Sequence, residues 1–456
     1  MDARERALEV AHHEAGRFLA SLTDRPVWPR ADVAEMERVF GGPLPEDGED
    51  PASVVATLAR DAEPGLVGIP GGRFFGFVIG GTLPAALAAD WLVSAWDQNS
   101  GSTTMTTAVA ALERTAGAWI CELLGLPADA SVGFVTGAQV SNTVCLATAQ
   151  HAQLRRVGWD QTRQGLRGAP RVRLVVGEHR HASIDRGARF CGWGSDELVV
   201  VPTDDQGRMR PADLAAALEA DRGAPAVVCL QAGEVHTGAF DPFEDLLPVA
   251  RAAGAWVHID GAFGLWAAAS PALRHLVAGT GEADSWTTDA HKTLNVPYDC
   301  GMAIVRDAAD SIAMLRTAGD YLIYSRMDPW DVTPELSRRG RGVPAWAALR
   351  SLGRSGVAAL VEGMCENAQR LADGLARIPG VTVVNDVVYT QVMFRLDDDG
   401  ATRALCAAIL AEGTAAMTGA DWAGRAVIRC SVSSWVTTAD DVALTLEAIR
   451  SLVAAR

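Results

Sequence analysis

Lys292 stands in the run Asp284-Ser-Trp-Thr-Thr-Asp-Ala-His-Lys-Thr-Leu-Asn-Val-Pro-Tyr-Asp-Cys-Gly301, the only lysine of that stretch, directly after His291. Upstream, Ala255-Trp-Val-His-Ile-Asp-Gly-Ala262 is an apolar run that ends in Asp260. Taken alone, Asp260 reads equally well as a turn or capping residue, and Lys292 as a solvated surface lysine. Together they offer a specific chemistry. A lysine amine forms a Schiff base with an aldehyde. A carboxylate holds a pyridine nitrogen protonated, so that the ring can accept electrons. A strand-end Asp followed one strand later by His-Lys therefore points to pyridoxal 5'-phosphate as cofactor.

Two further segments carry residues of the right type. Gly133-Phe-Val-Thr-Gly-Ala-Gln-Val-Ser-Asn-Thr143 reads as a strand, a glycine turn and a helix start. Backbone N–H groups at such a helix N-terminus cradle phosphate. Thr136, Gly137, Ala138 and Gln139 are the candidates there, although glycine in a strand–helix turn is common without any ligand. In Val176-Gly-Glu-His-Arg-His-Ala-Ser183, His181 follows a strand. A flat imidazole in that place can stack on a cofactor ring and pass a proton; His179 competes for the same role.

These segments sit in a regular alternation. Strand-like runs fall at 132–136, 172–177, 197–202, 226–231, 255–260, 284–288 and 301–306, with helical stretches at 138–157, 211–221, 243–253 and 270–279. Short apolar runs separated by helices predict an α/β fold with a mostly parallel, seven-stranded sheet. The last run follows the lysine loop closely and suits an antiparallel insertion. Residues 1–70 predict an N-terminal helical arm, 71–345 the large cofactor-binding domain, and 346–456 a small C-terminal α+β domain.

Composition excludes some partners. A net charge of −16 and a pI near 5.0 argue against nucleic acid and against an anionic membrane surface. No apolar run is long enough to span a bilayer, and the charged start Met-Asp-Ala-Arg-Glu-Arg lacks the apolar core of a signal peptide. Eight scattered cysteines without a CxxC pair read as reduced thiols. The expectation is a cytoplasmic enzyme acting on a small molecule, with no metal.

The quoted segments together resemble the group II pyridoxal phosphate-dependent decarboxylases, the aromatic-amino-acid and glutamate decarboxylase family of fold type I. Asp289-Ala-His-Lys-Thr-Leu-Asn-Val-Pro-Tyr-Asp-Cys-Gly301 is the most specific match, joined by His181-Ala-Ser-Ile-Asp-Arg186, Asp260 with Ala262, Leu112-Glu-Arg114, and Ser337-Arg-Arg-Gly-Arg341. The resemblance implies Lys292 as the Schiff-base residue, Asp260 as partner of the pyridine nitrogen, and His181 stacked on the ring. It also implies that Ala262 packs against the ring and that His291 and Glu234 lie near the cofactor. Gly72-Arg-Phe-Phe-Gly-Phe77 looks like the family's substrate segment and nominates Phe74, Phe75 and Phe77. A homodimer with shared active sites is implied, together with a catalytic loop before Ser337 in which Tyr324, or less directly Tyr321, would protonate carbon. The implied reaction is decarboxylation of an L-amino acid, with an aromatic or bulky side chain favoured. A pyridoxal phosphate aldolase acting on β-hydroxy amino acids, or an aminotransferase, is the alternative. The sequence departs from the family at the phosphate turn, where Ala138, Gln139 and Val140 replace hydroxyl side chains, and at Glu234 and His236.

Overall fold

The computed structural model describes residues 2–317 and 327–456. Seven strands, β1 (Ser131–Val135), β2 (Arg173–Gly177), β3 (Val199–Val201), β4 (Ala226–Gln231), β5 (Trp256–Asp260), β6 (Ser285–Asp289) and β7 (Gly301–Val305), form one sheet in the order β1-β7-β6-β5-β4-β2-β3. Only β7 runs antiparallel to its neighbours, between β1 and β6. Each strand expected from sequence is present, and so is the antiparallel insertion.

The apolar runs are continuous because both faces of the sheet are covered. Along β4, Val228 and Leu230 enter one core cluster, while Val227 and Cys229 enter another on the opposite face. The same alternation holds on β5, where Val257 and Ile259 face one way and Trp256 the other. A strand period of two then puts His258 and Asp260 on the Trp256 side. The helix Ala138–Arg156 packs on that side, against β5, β6 and β7.

The second sheet is smaller and wholly antiparallel: β8 (Thr382–Val383), β9 (Gln391–Arg395), β10 (Thr418–Trp422) and β11 (Arg425–Ser431), in the order β10-β11-β9-β8. Its core comes from Val392, Phe394, Ile428, Cys430 and the second half of the helix Gly342–Leu375. That helix spans the expected 345/346 boundary, and its two halves meet at Gly353 (φ 62°, ψ 179°). β10 escapes a sequence reading because it is a half-exposed edge strand with polar residues. It is formed by its tight turn onto β11 at Ala423 and Gly424, both with positive φ, as hairpin turns require.

The helix expected over 270–279 is instead a single 3₁₀ turn, Arg274–Val277. The Ser270 hydroxyl accepts the N–H groups of Ala272 and Leu273, offering the backbone an alternative to helical bonding. Among the described residues no helix is long and apolar enough to cross a membrane.

Candidate active site

The site lies beyond the C-terminal ends of β4, β5 and β6, where open α/β sheets bind ligands. A cavity of about 300 Å³ opens there, lined by His181, Asp260, Ala262, Lys292, Phe77 and Arg429 among others. Residues distant in sequence thus converge on one hollow. Lys292 is also the only lysine in the chain, and all the other 39 of its 40 basic residues are arginine.

Asp260 ends β5 and is buried. Its Oδ2 accepts Asn142 Nδ2 at 2.9 Å and Ser183 Oγ at 3.5 Å, and its Oδ1 accepts the Ala262 N–H at 3.3 Å. All these donors are neutral, and Oδ1 retains room for a further donor. Asn142 Oδ1 in turn accepts His258 Nε2 at 2.9 Å. An amide oxygen only accepts, which fixes the His258 proton on Nε2. His258 Nδ1 then takes the Ser285 hydroxyl at 2.9 Å. Complete burial pushes His258 down to about 4, so it is a neutral strut behind Asp260.

His181 caps the helix Ala182–Phe190. Its Nδ1 accepts the Ser183 N–H at 3.2 Å and lies 2.8 Å from Ser183 Oγ. This leaves Nε2 to carry the proton of the neutral ring. Desolvation pushes the imidazole below its ordinary value, against the pull of Asp260. His179 does not line the cavity; its ring packs on Trp422 at 4.3 Å.

Lys292 Nζ lies 3.1 Å from Asp289 Oδ2, and His291 Nε2 lies 3.5 Å from the same oxygen. His291 Nδ1 accepts the Cys300 N–H at 3.1 Å, and its ring stacks on Tyr298 at 4.2 Å. The chain segment before the first large-domain helix crosses directly over this loop at Gly80. A Cβ there would collide with the Lys292 carbonyl oxygen.

Other nominated residues fall elsewhere. Phe75 is buried in the core of the small domain and Phe74 in a separate apolar cluster with Val27 and Ala416, and neither is among the lining residues of this cavity. Their backbone explains it: Phe75 donates to Ala416 O at 2.8 Å and accepts from Ser431 N at 2.9 Å, so the segment runs alongside the small sheet. Phe77, with a positive φ of 55°, turns out of that run and does line the cavity. Glu234 does not line it, although Gly233 and Val235 do. Its carboxylate folds back onto its own turn, accepting His236 N at 2.6 Å, Thr237 N at 2.7 Å and His236 Nδ1 at 2.8 Å. Burial alone would raise Glu234, but these bonds hold it below its ordinary value. Thr136, Gly137, Ala138 and Gln139 are not among the lining residues either. The turn backs onto the lysine loop, where a Cβ on Gly137 would stand 3.1 Å from His291 Cε1. The helix Ala138–Arg156 begins there with no side-chain cap on its first amides. Tyr321 and Tyr324 lie outside the described residues.

The sequence points to Asn142 only as part of the phosphate turn and to Asp289 only as part of the polar segment before Lys292, and it gives no separate signal for Ser183; a period-two reading of β5 exposes His258 beside Asp260.

Pyridoxal phosphate fits this donor set. Asp260 offers an oxygen for the pyridine nitrogen, Lys292 the amine, and His181 a flat ring opposite. The Arg429 Nε is buried without a hydrogen-bond partner, and so is Asp289 Oδ1, as unfilled sites beside a ligand hollow are.

The pyridoxal-dependent decarboxylase conserved domain matches residues 35–397. L-2,4-diaminobutyrate decarboxylase of Rhizobium meliloti is 29% identical over 89% of this chain and 83% of its own length. 4-Hydroxyphenylacetaldehyde synthase of Rhodiola rosea is 25% identical over 92% of this chain and 89% of its own length. Among solved structures, that of Oryza sativa TDC with PLP and tryptamine superposes with a TM-score of 0.93 at 23% identity, over 100% of this chain and 98% of that one, a likeness of fold. The chain is a pyridoxal phosphate-dependent carboxy-lyase and belongs to the pyridoxal-dependent decarboxylase family.

Proposed function

We propose that the enzyme decarboxylates an L-amino acid with a bulky, largely apolar side chain, using Lys292, Asp260 and His181 as its central residues. The observation that carries this reading is the cavity wall. Beside those three polar groups it is built from Phe77, Val78, Ile79, Val235 and Phe263. An apolar wall with a few convergent polar groups suits an apolar side chain.

When bound, the cofactor supplies an electron sink for the bond that breaks at the α-carbon. The protein does the rest. Asp260, oriented by Asn142 and Ser183, would hold a proton on the pyridine nitrogen. His258, neutral and locked through Asn142, prevents that carboxylate from turning. Lys292 supplies the amine and takes up or returns a proton at Nζ. His181, with its proton on Nε2, faces the hollow as a donor. The amide edge at Gly137–Gln139 receives the phosphate. Tyr324 remains the proposed proton donor to carbon.

Arg429 favours a second reading. Its guanidinium is buried, with Nη1 on Val235 O at 2.6 Å and Nε unpaired. A side chain ending in a carboxylate would satisfy it. Incubating the cofactor-loaded enzyme with a panel of L-amino acids, and identifying the amines by mass, decides between them. Amines from aromatic or large aliphatic substrates are expected. Turnover confined to glutamate or aspartate replaces the first reading by the second.

A second copy of the chain is the proposed partner. Phe77 and Tyr298, 54% and 57% exposed, stand at the cavity mouth and would be covered by it. Light scattering on the eluting protein reads the mass directly, and a monomer under assay conditions refutes the dimer. The localisation proposed is the cytoplasm.

A further inference from the structure

Asp289 has no role in the scheme above, yet it touches the one amine on which that scheme turns. It ends β6 and is almost wholly buried. Its Oδ2 is shared by Lys292 Nζ at 3.1 Å and His291 Nε2 at 3.5 Å. Its Oδ1 is buried without a partner. The backbone holds the group firmly: Asp289 N donates to Ala262 O at 2.9 Å, and its carbonyl accepts Trp266 Nε1 at 3.2 Å. Packing holds the side chain as well. A Cβ on Gly301 would reach Asp289 Oδ1 at 2.6 Å and would overlap the backbone of Gly137.

The neighbours fix the charge. His291 Nδ1 accepts the Cys300 N–H, so the neutral ring carries its proton on Nε2 and directs it at Asp289. Burial pushes His291 down, which keeps that ring neutral. Among the described residues Lys292 is then the only cation bonded to Asp289. The other titratable groups facing the lysine nitrogen are Asp260 and His181 across the cavity, Arg429 from β11, and Tyr298 from the lysine loop. Asp260 is already occupied by Asn142, Ser183 and the Ala262 amide.

We infer that Asp289 is the counter-ion of the Lys292 nitrogen. It aims the amine into the cavity before the cofactor arrives, and it keeps that nitrogen protonated once the nitrogen is bonded to the cofactor's aldehyde carbon. Asp289 makes and breaks no covalent bond; its charge offsets the positive charge on nitrogen in both states. A protonated carbon–nitrogen double bond is the better acceptor for an incoming amine, so the counter-ion speeds the entry of substrate.

This inference rests on Lys292 as the cofactor-binding residue, and the two are separable by experiment. Lys292→Ala tests the first: borohydride treatment followed by peptide mass analysis leaves no cofactor attached, whereas in the unaltered enzyme the single lysine carries it. Asp289→Asn tests the second. Its bound cofactor should still be trapped on Lys292, but the visible band should give way to the unprotonated form at a pH lower by about 1–3 units, as loss of an opposite charge at this distance requires. Asp289→Glu, which keeps the charge, should restore the transition. In cofactor-free protein an amine-selective reagent reaches only Lys292 and the N-terminus. Its reaction with Lys292 at neutral pH should quicken about tenfold or more in Asp289→Asn. Asp289→Ser carries the same two expectations where the asparagine variant does not fold. A band transition at the unaltered pH, an unaltered labelling rate, or a folded variant that no longer traps cofactor overturns the inference.

Discussion

His258 is a titratable group locked out of titration, and its cost is calculable. Its ring is completely buried between Asn142 and Ser285, and burial lowers it from an ordinary 6.5 to about 4. The unfolded chain therefore binds more protons than the folded one between these values. The stability that His258 contributes is full above pH 6.5 and is lost as pH falls toward 4. At pH 7 the penalty is about 0.2 kcal/mol, and at pH 5 it is about 2 kcal/mol. His258→Gln keeps a donor for Asn142 but cannot titrate. Cofactor-free samples of both proteins would be unfolded in urea at pH 7 and pH 5. The other histidines contribute equally to both, so the difference between the proteins isolates this one. Relative to the unaltered protein, the variant should gain about 2 kcal/mol on going from pH 7 to pH 5. If the difference between the two proteins is the same at both pH values, His258 is not held neutral, and the tautomer chain behind Asp260 is wrong.

Three other substitutions probe the frame and the charge partner. Asp260→Ala should weaken cofactor binding and lower turnover by about 10²-fold or more, in the range for losing a preorganised charge partner; near-normal activity would require another acid at the pyridine nitrogen. Arg338→Ala breaks a fully buried ion pair with Glu113, at 2.7 and 3.0 Å, which also ties the Ser100 and Phe134 carbonyls. Its cost should be about 3–5 kcal/mol, whereas Arg354→Ala, paired with Glu122 at the surface, should cost at most about 1 kcal/mol. Thermal unfolding compares the two directly, and equal effects would refute the distinction.

What the sequence makes legible follows from how each part is encoded. The central strands are buried on both faces, so Val-rich runs such as Ala226–Gln231 announce themselves without regard to context. Lys292 and Asp260 are legible because their chemistry needs those residue types, and the lysine is the only one in the chain. Phe74 and Phe75 cannot be told apart from Phe77 by sequence because an apolar run reads the same whether it lines a pocket or fills a core. Only the pairing of Phe75 with Ala416 and Ser431, far away in sequence, decides that. Glu234 sits between two cavity-lining residues, and donors within its own turn, which the sequence does not announce, take its carboxylate. Asn142 and Ser183 were illegible because their significance lies entirely in one shared long-range partner, Asp260.

Two carboxylates thus end adjacent strands, and their partners differ in a way that assigns them different work. Asp260, on β5, is held by an amide, a hydroxyl and a backbone N–H, all neutral. Its charge is consequently left for a cation brought by the ligand. Asp289, on β6, spends its charge on a cation belonging to the protein itself, the Lys292 amine. Exchanging either acid for its amide removes a charge from a nearly dry site, but the consequences diverge. At Asp260 the amide is expected to disable the ring as an electron sink while leaving the lysine's nitrogen alone. At Asp289 it is expected to alter the protonation of that nitrogen while leaving the ring alone. β5 and β6 are hydrogen-bonded neighbours with Asp260 opposite Thr287, so Asp289, two residues further on, falls on the same face of the sheet as Asp260, and each acid is left to meet a different cation there.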